Sequence, residues 1–165
     1  MKQLLLCRHA KSSWKNRNLP DIDRPLNKRG RKNAPDMGRR LAERGMEPEQ
    51  IFTSPAKRAR KTARRLCRGM GASRSIIRVV DSIYDSDVQN LLNVLMKTDE
   101  RLQRILLVGH NFELTDLVNT LLALDIYNVP TCGIVAIQFD CRYWNEISRS
   151  RAELLFFDYP GKTGL

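Results

Sequence analysis

The stretches QLLLCRH, residues 3–9, and RILLVGH, residues 104–110, decide how this chain is read. Each is a short apolar run bounded by polar residues, the pattern of a strand buried on both faces of a sheet. The strands proper are read as residues 3–7 and 104–108, and each is followed within two residues by a histidine. These are the only two histidines in the 165-residue chain. In open α/β sheets, ligands bind beyond the carboxyl ends of the strands. Both imidazoles, His9 and His110, therefore fall where chemistry collects.

Outward from these strands the chain alternates strand and helix. Residues 19–30 contain two prolines and several charges and read as a loop. Residues 31–44 have helical composition, with Met37 and Leu41 four apart and Gly45 as the stop. A second strand is expected at residues 50–53. Ser54-Pro55 then reads as a helix start, with serine as the cap and proline in the first turn. That helix has an apolar face of Ala59, Ala63, Leu66 and Cys67. Its opposite face carries Lys57, Lys61, Arg64, Arg65 and Arg68.

A third strand is expected at residues 76–80, followed by helices at 88–96 and 112–124 on either side of the 104–108 strand. Two further strand-like runs, 134–139 and 154–157, have no helical pattern between them and are expected to pair antiparallel. The alternation predicts a three-layer α/β/α sandwich whose central sheet is mostly parallel with an antiparallel edge. No repeat, low-complexity tract or linker interrupts residues 1–165, which are read as one domain.

Composition narrows the function classes. Hydrophobic residues make up 42% and charged residues 28%, ordinary values for a globular domain. No apolar run approaches a membrane span, and the apolar start MKQLLLC is too short for a signal peptide. A cytoplasmic protein is expected. Cys7, Cys67, Cys132 and Cys141 form no CxxC pair and match no zinc spacing, so buried reduced thiols are expected. The net charge of +11 fits nucleic acid, an anionic substrate or an acidic protein partner. Basic residues are not interleaved with aromatics as in nucleic-acid binders, which argues against the first. The run Gly161-Lys162-Thr163 fails as a phosphate-binding loop, because Phe156 stands where the first glycine belongs. It reads as a flexible tail.

Three strand ends each deliver a residue suited to phosphate: Arg8-His9 after the first, Ser54-Pro55 with Arg58 after the second, Gly109-His110 after the fourth. Any one alone has an ordinary structural explanation; the three together do not. A guanidinium is a rigid fork of donors matched to phosphate oxygens. A neutral imidazole is an available nucleophile near pH 7. Phosphoryl transfer depends mainly on positioning and charge stabilisation.

These residues lie in runs that resemble a known family. Arg8-His9-Ala10 resembles the RHG signature of the histidine phosphatase superfamily. The run from Ser54 to Ala63 resembles its SPxxRAxxTA element, Asp23-Arg24-Pro25-Leu26 to Gly30 its DxPLxxxG segment, and Gly109-His110 its late GH. RHAKSSW at residues 8–14, the DRPL loop and Tyr84-Asp85 resemble more narrowly the small phosphohistidine phosphatases of SixA type. The resemblance covers residues 1–124 or so. It implies a phosphoglycerate mutase-like fold and a phosphohistidine intermediate on His9. It also implies a phosphate pocket of Arg8, Arg58 and His110, and no metal or other cofactor.

Two departures stand out. Ala10 replaces the family glycine, so the backbone there is expected to need no positive φ. The acidic proton donor of larger relatives is missing after the third strand. Asp85 is the candidate in its place, against the alternative that Asp81, Asp85 and Asp87 only cap the next helix. Only about six residues separate that strand from the helix, so the site is expected to be open. Lys11 and Ser12 are candidate phosphate contacts from the loop after His9, with Trp14 and the weaker Asn16 near the mouth. The sequence points to a phosphatase, expected to be a monomer, acting on a phosphorylated signalling protein of a phosphorelay. The alternatives are small phosphate esters as substrates, a basic nucleic-acid-binding module, or an inactive scaffold.

Overall fold

In the computed structural model, which describes residues 1–162, the sheet is built from β1 (Lys2–Arg8), β2 (Gln50–Thr53), β3 (Ile77–Val79), β4 (Arg104–Gly109), β5 (Ile134–Phe139) and β6 (Ala152–Asp158). Thr163, the end of the GKT run, lies outside the described residues; of the other two, Gly161 has a positive φ of 85 and the Lys162 amide donates to the Tyr159 carbonyl, closing a turn after β6. The strand order is β3-β2-β4-β1-β5-β6. The first four strands in that order pair in parallel, while β5 and β6 add antiparallel at one edge. Both histidine-bearing strands, β1 and β4, are therefore central and adjacent.

Alternate residues along each strand point to opposite faces, and each face is covered by helices. Leu4, Leu6, Ile105, Leu107, Val135 and Ile137 face one core, where they meet α3 (Val88–Met96) and α4 (Glu113–Leu122). Leu5, Cys7, Leu106, Val108, Ile134 and Ala136 face the other, against α1 (Lys28–Glu43) and α2 (Lys57–Met70). This is the three-layer arrangement expected. Full burial of one such leucine stabilises the fold by about 1.5–3 kcal/mol. The helices α1 and α2 approach at backbone distance: a Cβ on Gly38 would lie 2.3 Å from the carbonyl oxygen of Leu66. All four cysteines are buried free thiols.

Several element boundaries differ from expectation, each for a local reason. The helix expected to start at Arg31 begins at Lys28, because Asn27 caps it by accepting from the Gly30 amide at 2.9 Å. Pro35 is carried inside it. Ser54-Pro55 does not open α2: the helix starts at Lys57, and the Ser54 hydroxyl instead accepts from the Ala56 amide. The third strand shrinks to Ile77–Val79, since residues 74–76 form a 3₁₀ turn capped by Ser73. The helix expected over 112–124 spans Glu113–Leu122, ending before Ala123 at φ 53. The last strand is longer than expected, Ala152–Asp158, because β5 pairs along its whole length.

Candidate active site

Parallel register sets the two imidazoles side by side. Arg8 pairs with Gly109, so His9 and His110 emerge next to one another, and the His9 amide donates to the Gly109 carbonyl at 3.0 Å. Their ring centroids are 5.1 Å apart, close to the spacing of neighbouring strands. Both side chains are buried, at 8% and 7% exposure.

The His9 Nδ1 lies 2.8 Å from the Ala10 carbonyl oxygen. A carbonyl only accepts, so Nδ1 carries the proton and the lone pair of the neutral ring sits on Nε2. Burial pushes the His9 pKa down to about 3. The Ala10 carbonyl opposes that shift, and His110, Arg58 and Arg8 add to it. Burial, with Arg58 next, pushes His110 down to about 4. Both rings are therefore neutral near pH 7. Ala10 shows no positive φ, as expected. Its amide donates to the Thr62 hydroxyl, which in turn donates to the Arg58 carbonyl. Thr62 thus ties the His9 loop to the first turn of α2.

The guanidiniums are held by groups that the sequence reading did not single out. Arg8 donates from Nη1 to the Val129 carbonyl at 3.0 Å and to Asn128 Oδ1 at 3.2 Å. Arg58, 5% exposed, donates to the Asp21 carbonyl at 2.7 Å and to its carboxylate at 3.0 Å. That carboxylate also accepts from Tyr84 Oη at 2.7 Å and from Arg24 Nε at 3.1 Å. Its partial desolvation works against ionisation, but the hydrogen bonds from Tyr84, Arg58 and Arg24 prevail and hold its pKa at about 2. The signal that could have found Asp21 is its place three residues before Arg24 in an arginine-rich site loop. Asn128 gives no sequence signal.

Among the described residues, three buried side-chain nitrogens or oxygens lack any partner: Arg8 Nε, Arg58 Nε and His110 Nδ1. All three are nitrogens, and all belong to this one cluster. The Ser54 hydroxyl lies 2.8 Å from His110 Nε2. When Ser54 donates there, the ring proton sits on Nδ1, and all three orphans are N–H donors. A buried unpaired donor costs about 1–3 kcal/mol, so three in one place describe a binding site for an acceptor-rich anion.

The remaining sequence candidates sit further out. Ser12 accepts from Arg24 Nη1 at 2.7 Å. Lys11 is exposed, and its backbone carbonyl accepts from the Asn27 amide. Trp14 is 69% exposed with the Arg24 guanidinium 3.6 Å from its ring centre. It lines an open cleft of about 530 Å³ with Asn16, Arg17, Leu19, Asp21 and Arg24, beside the pocket. Another cleft, about 480 Å³, lies between β2, β3 and α3 and contains neither histidine. Asp85 is exposed at φ 52 and has no side-chain hydrogen bond among the described residues. Asp87 caps α3 by accepting from the Asn90 amide at 2.7 Å.

Comparison with known proteins agrees with this geometry. The sequence model of the histidine phosphatase superfamily, branch 1, matches residues 4–81. The crystal structure of a candidate phosphohistidine phosphatase SixA from Agrobacterium tumefaciens superposes with a TM-score of 0.81 at 26% identity, covering 97% of this chain and 99% of that one. Over residues 4–81 the chain thus matches the histidine phosphatase superfamily, and its fold is phosphoglycerate mutase-like. Within the superfamily its likeness is to proteins of SixA type. A protein histidine phosphatase SixA solved with tungstate shares the fold at a TM-score of 0.79 and 20% identity, covering 96% of this chain and 97% of that one. An uncharacterised chloroplastic protein of Arabidopsis thaliana is 28% identical over 153 residues, 88% of this chain and 70% of its own length. No helix among the described residues is long and apolar enough to cross a membrane.

Proposed function

We propose that the protein is a phosphatase that transfers a phosphoryl group from phosphohistidine on a signalling protein to its own His9, and then to water, without a metal. The observation that carries this reading is the set of three unpartnered buried nitrogens, on Arg8, Arg58 and His110, gathered around a histidine whose tautomer is fixed.

In the first step the His9 Nε2 lone pair attacks phosphorus in line. The P–N bond to the substrate imidazole breaks, and the departing nitrogen takes up a proton. Arg8, Arg58 and His110 hold the equatorial oxygens and stabilise the charge on the transferring group. Water then attacks phospho-His9, the P–N bond to His9 breaks, Nε2 regains its lone pair and inorganic phosphate leaves. Two guanidiniums supply positive charge that a metal would supply elsewhere.

The substrate class follows from the leaving group. An alkoxide needs a proton donor from the enzyme, whereas an imidazole nitrogen protonates near neutrality, around pH 6.5. With Asp85 exposed and making no side-chain hydrogen bond to either imidazole, a P–N bond suits the site better than an alkyl phosphate. The open cleft beside Trp14 leaves room for a protein-borne side chain.

The test is a rapid quench after mixing with a phosphohistidine peptide, with and without a chelator. Label on His9 and chelator-resistant turnover are expected. Near-normal turnover by His9→Ala would sink the mechanism, and equal activity on an unactivated alkyl phosphate would sink the P–N preference.

A further inference from the structure

Helix α2 begins at the pocket and continues as a strip of positive charge. Arg58, Lys61, Arg65 and Arg68 stand at i, i+3, i+7 and i+10, so they follow one stripe of the helix. Arg58 lies in the pocket, while Lys61 and Arg65 are partly exposed and Arg68 is exposed. Arg64 and Arg74 widen the stripe, and together with Lys61, Arg65 and Arg68 they surround a small depression of about 100 Å³.

Several arginines elsewhere in this protein have acidic partners, although among the described residues others, such as Arg17, Arg29 and Arg142, do not. Arg39 pairs with Asp36 and Glu43, Arg40 and Arg44 with Asp158, and Arg101 with Asp99. Among the described residues none of Lys61, Arg64, Arg65, Arg68 or Arg74 has a carboxylate within ion-pair distance. No Asp or Glu occurs in the sequence between Glu49 and Asp81. The mutual repulsion is visible in Lys61, whose pKa is lowered first by Arg64 and, after burial, by Lys57, Arg60 and Arg65. A self-repelling patch without internal counter-charges is complementary to an external polyanion.

Reach decides the size of that partner. At a rise of 1.5 Å per residue, Arg58 and Arg68 are about 15 Å apart along the helix. A small phosphate compound seated on Arg58 cannot also touch Arg68, whereas a protein surface can. Nucleic acid fits less well, because single-strand binders combine the basic track with aromatic stacking platforms, and α2 carries no aromatic residue.

We propose that this stripe is a docking surface for an acidic protein, oriented so that a phosphorylated side chain at the edge of its acidic face enters the His9 pocket. The inference rests on the phosphatase reading for its orientation, and on the charge pattern alone for its partner class.

The test uses Lys61→Glu/Arg64→Glu/Arg68→Glu and its neutral counterpart Lys61→Gln/Arg64→Gln/Arg68→Gln, the second guarding against misfolding. The probes are an acidic phosphotransfer domain, phosphorylated and unphosphorylated, and phosphoimidazole. At low salt the charge-reversed variant should bind the unphosphorylated domain at least about tenfold more weakly than the native protein, with the neutral variant between them. Its kcat/KM for the phosphorylated domain should fall by a similar factor, and its kcat/KM for phosphoimidazole should stay within about twofold. Raising salt to about 0.3 M should shrink the difference, because screening shortens the reach of exposed charges. Unchanged affinity in both variants overturns the docking surface. So does an equal loss on phosphoimidazole, or binding of a random RNA in preference to the acidic domain. Binding that behaves as stated while the native protein turns over neither substrate would support the surface and defeat only the phosphatase reading.

Discussion

The carboxyl ends of the two central strands and the carboxyl end of the edge strand β3 both present ionisable residues, with opposite consequences. At the centre, neighbouring strands and helices close over His9, His110 and Arg58 and leave each under a tenth exposed. Both imidazoles are driven far from their ordinary pKa, one ring proton is fixed by a backbone carbonyl, and three donors are left without partners. At the edge, Asp81, Asp85 and Asp87 stand in water, and the one with a clear task, Asp87, caps a helix. Ionisable side chains become chemical or merely structural according to how much water the sheet position excludes.

The largest test of this contrast is His9→Asn, which removes the proposed nucleophile. Turnover of phosphohistidine should fall by at least about 10⁴-fold, judged against the loss seen for nucleophiles that act as part of a unit, with an unchanged melting curve. Next comes Arg58→Ala, expected to lower kcat/KM by about 10²–10³-fold, the scale for removing one charge-stabilising donor. Since Arg58 is also Asp21's partner, Arg58→Lys should recover only part of the rate, because a point charge lacks the planar fork.

Acid sensitivity reads the same contrast through stability. A buried neutral histidine binds its proton in the unfolded chain near pH 6.5 but in the folded protein only near pH 3 for His9 and near pH 4 for His110. Between those limits the unfolded state holds more protons, so stability rises with pH and is lost as pH falls below about 6.5. Each imidazole contributes a slope of about 1.4 kcal/mol per pH unit in that window. Urea titrations between pH 7 and pH 4.5 should show this slope, and His110→Gln should reduce it. A dianion in the pocket would favour the imidazolium, so vanadate binding should raise the His110 pKa as followed by NMR. An unmoved His110 resonance would separate that ring from the anion site.

At the edge the effects are smaller. Asp87→Ala should cost about 1 kcal/mol of stability, the usual loss for a helix cap, with no change in kcat/KM. Asp85→Asn should alter phosphohistidine turnover by less than about twofold, since an imidazole leaving group needs little help. A large loss on phosphohistidine would return Asp85 to the role of proton donor and narrow the distance between the two regions.

Much of this was legible in the chain. The parallel alternation was readable because β1 and β4 are buried on both faces and therefore apolar throughout. The position of His9 and His110 just past two such strands was legible as well, but that β1 and β4 lie side by side was shown only by the strand order. Element ends were less legible. Ser54-Pro55 carries the chemistry of a helix start, yet the Ser54 hydroxyl sits against His110, a contact 56 residues away in sequence that no local pattern encodes. Asp21 offered one local signal, Arg24 three residues on, but its other partners Arg58 and Tyr84 lie 37 and 63 residues downstream.

The sequence by itself determined the layers, the central placement of both histidines and the family to which the motifs belong, because burial periodicity and short motifs are local properties of the chain. The tertiary structure alone decided which nitrogen of His9 is bare, which donors are left unpaired and which carboxylate holds Arg58. Those depend on approaches of a few ångströms between residues far apart in sequence, set by register and packing.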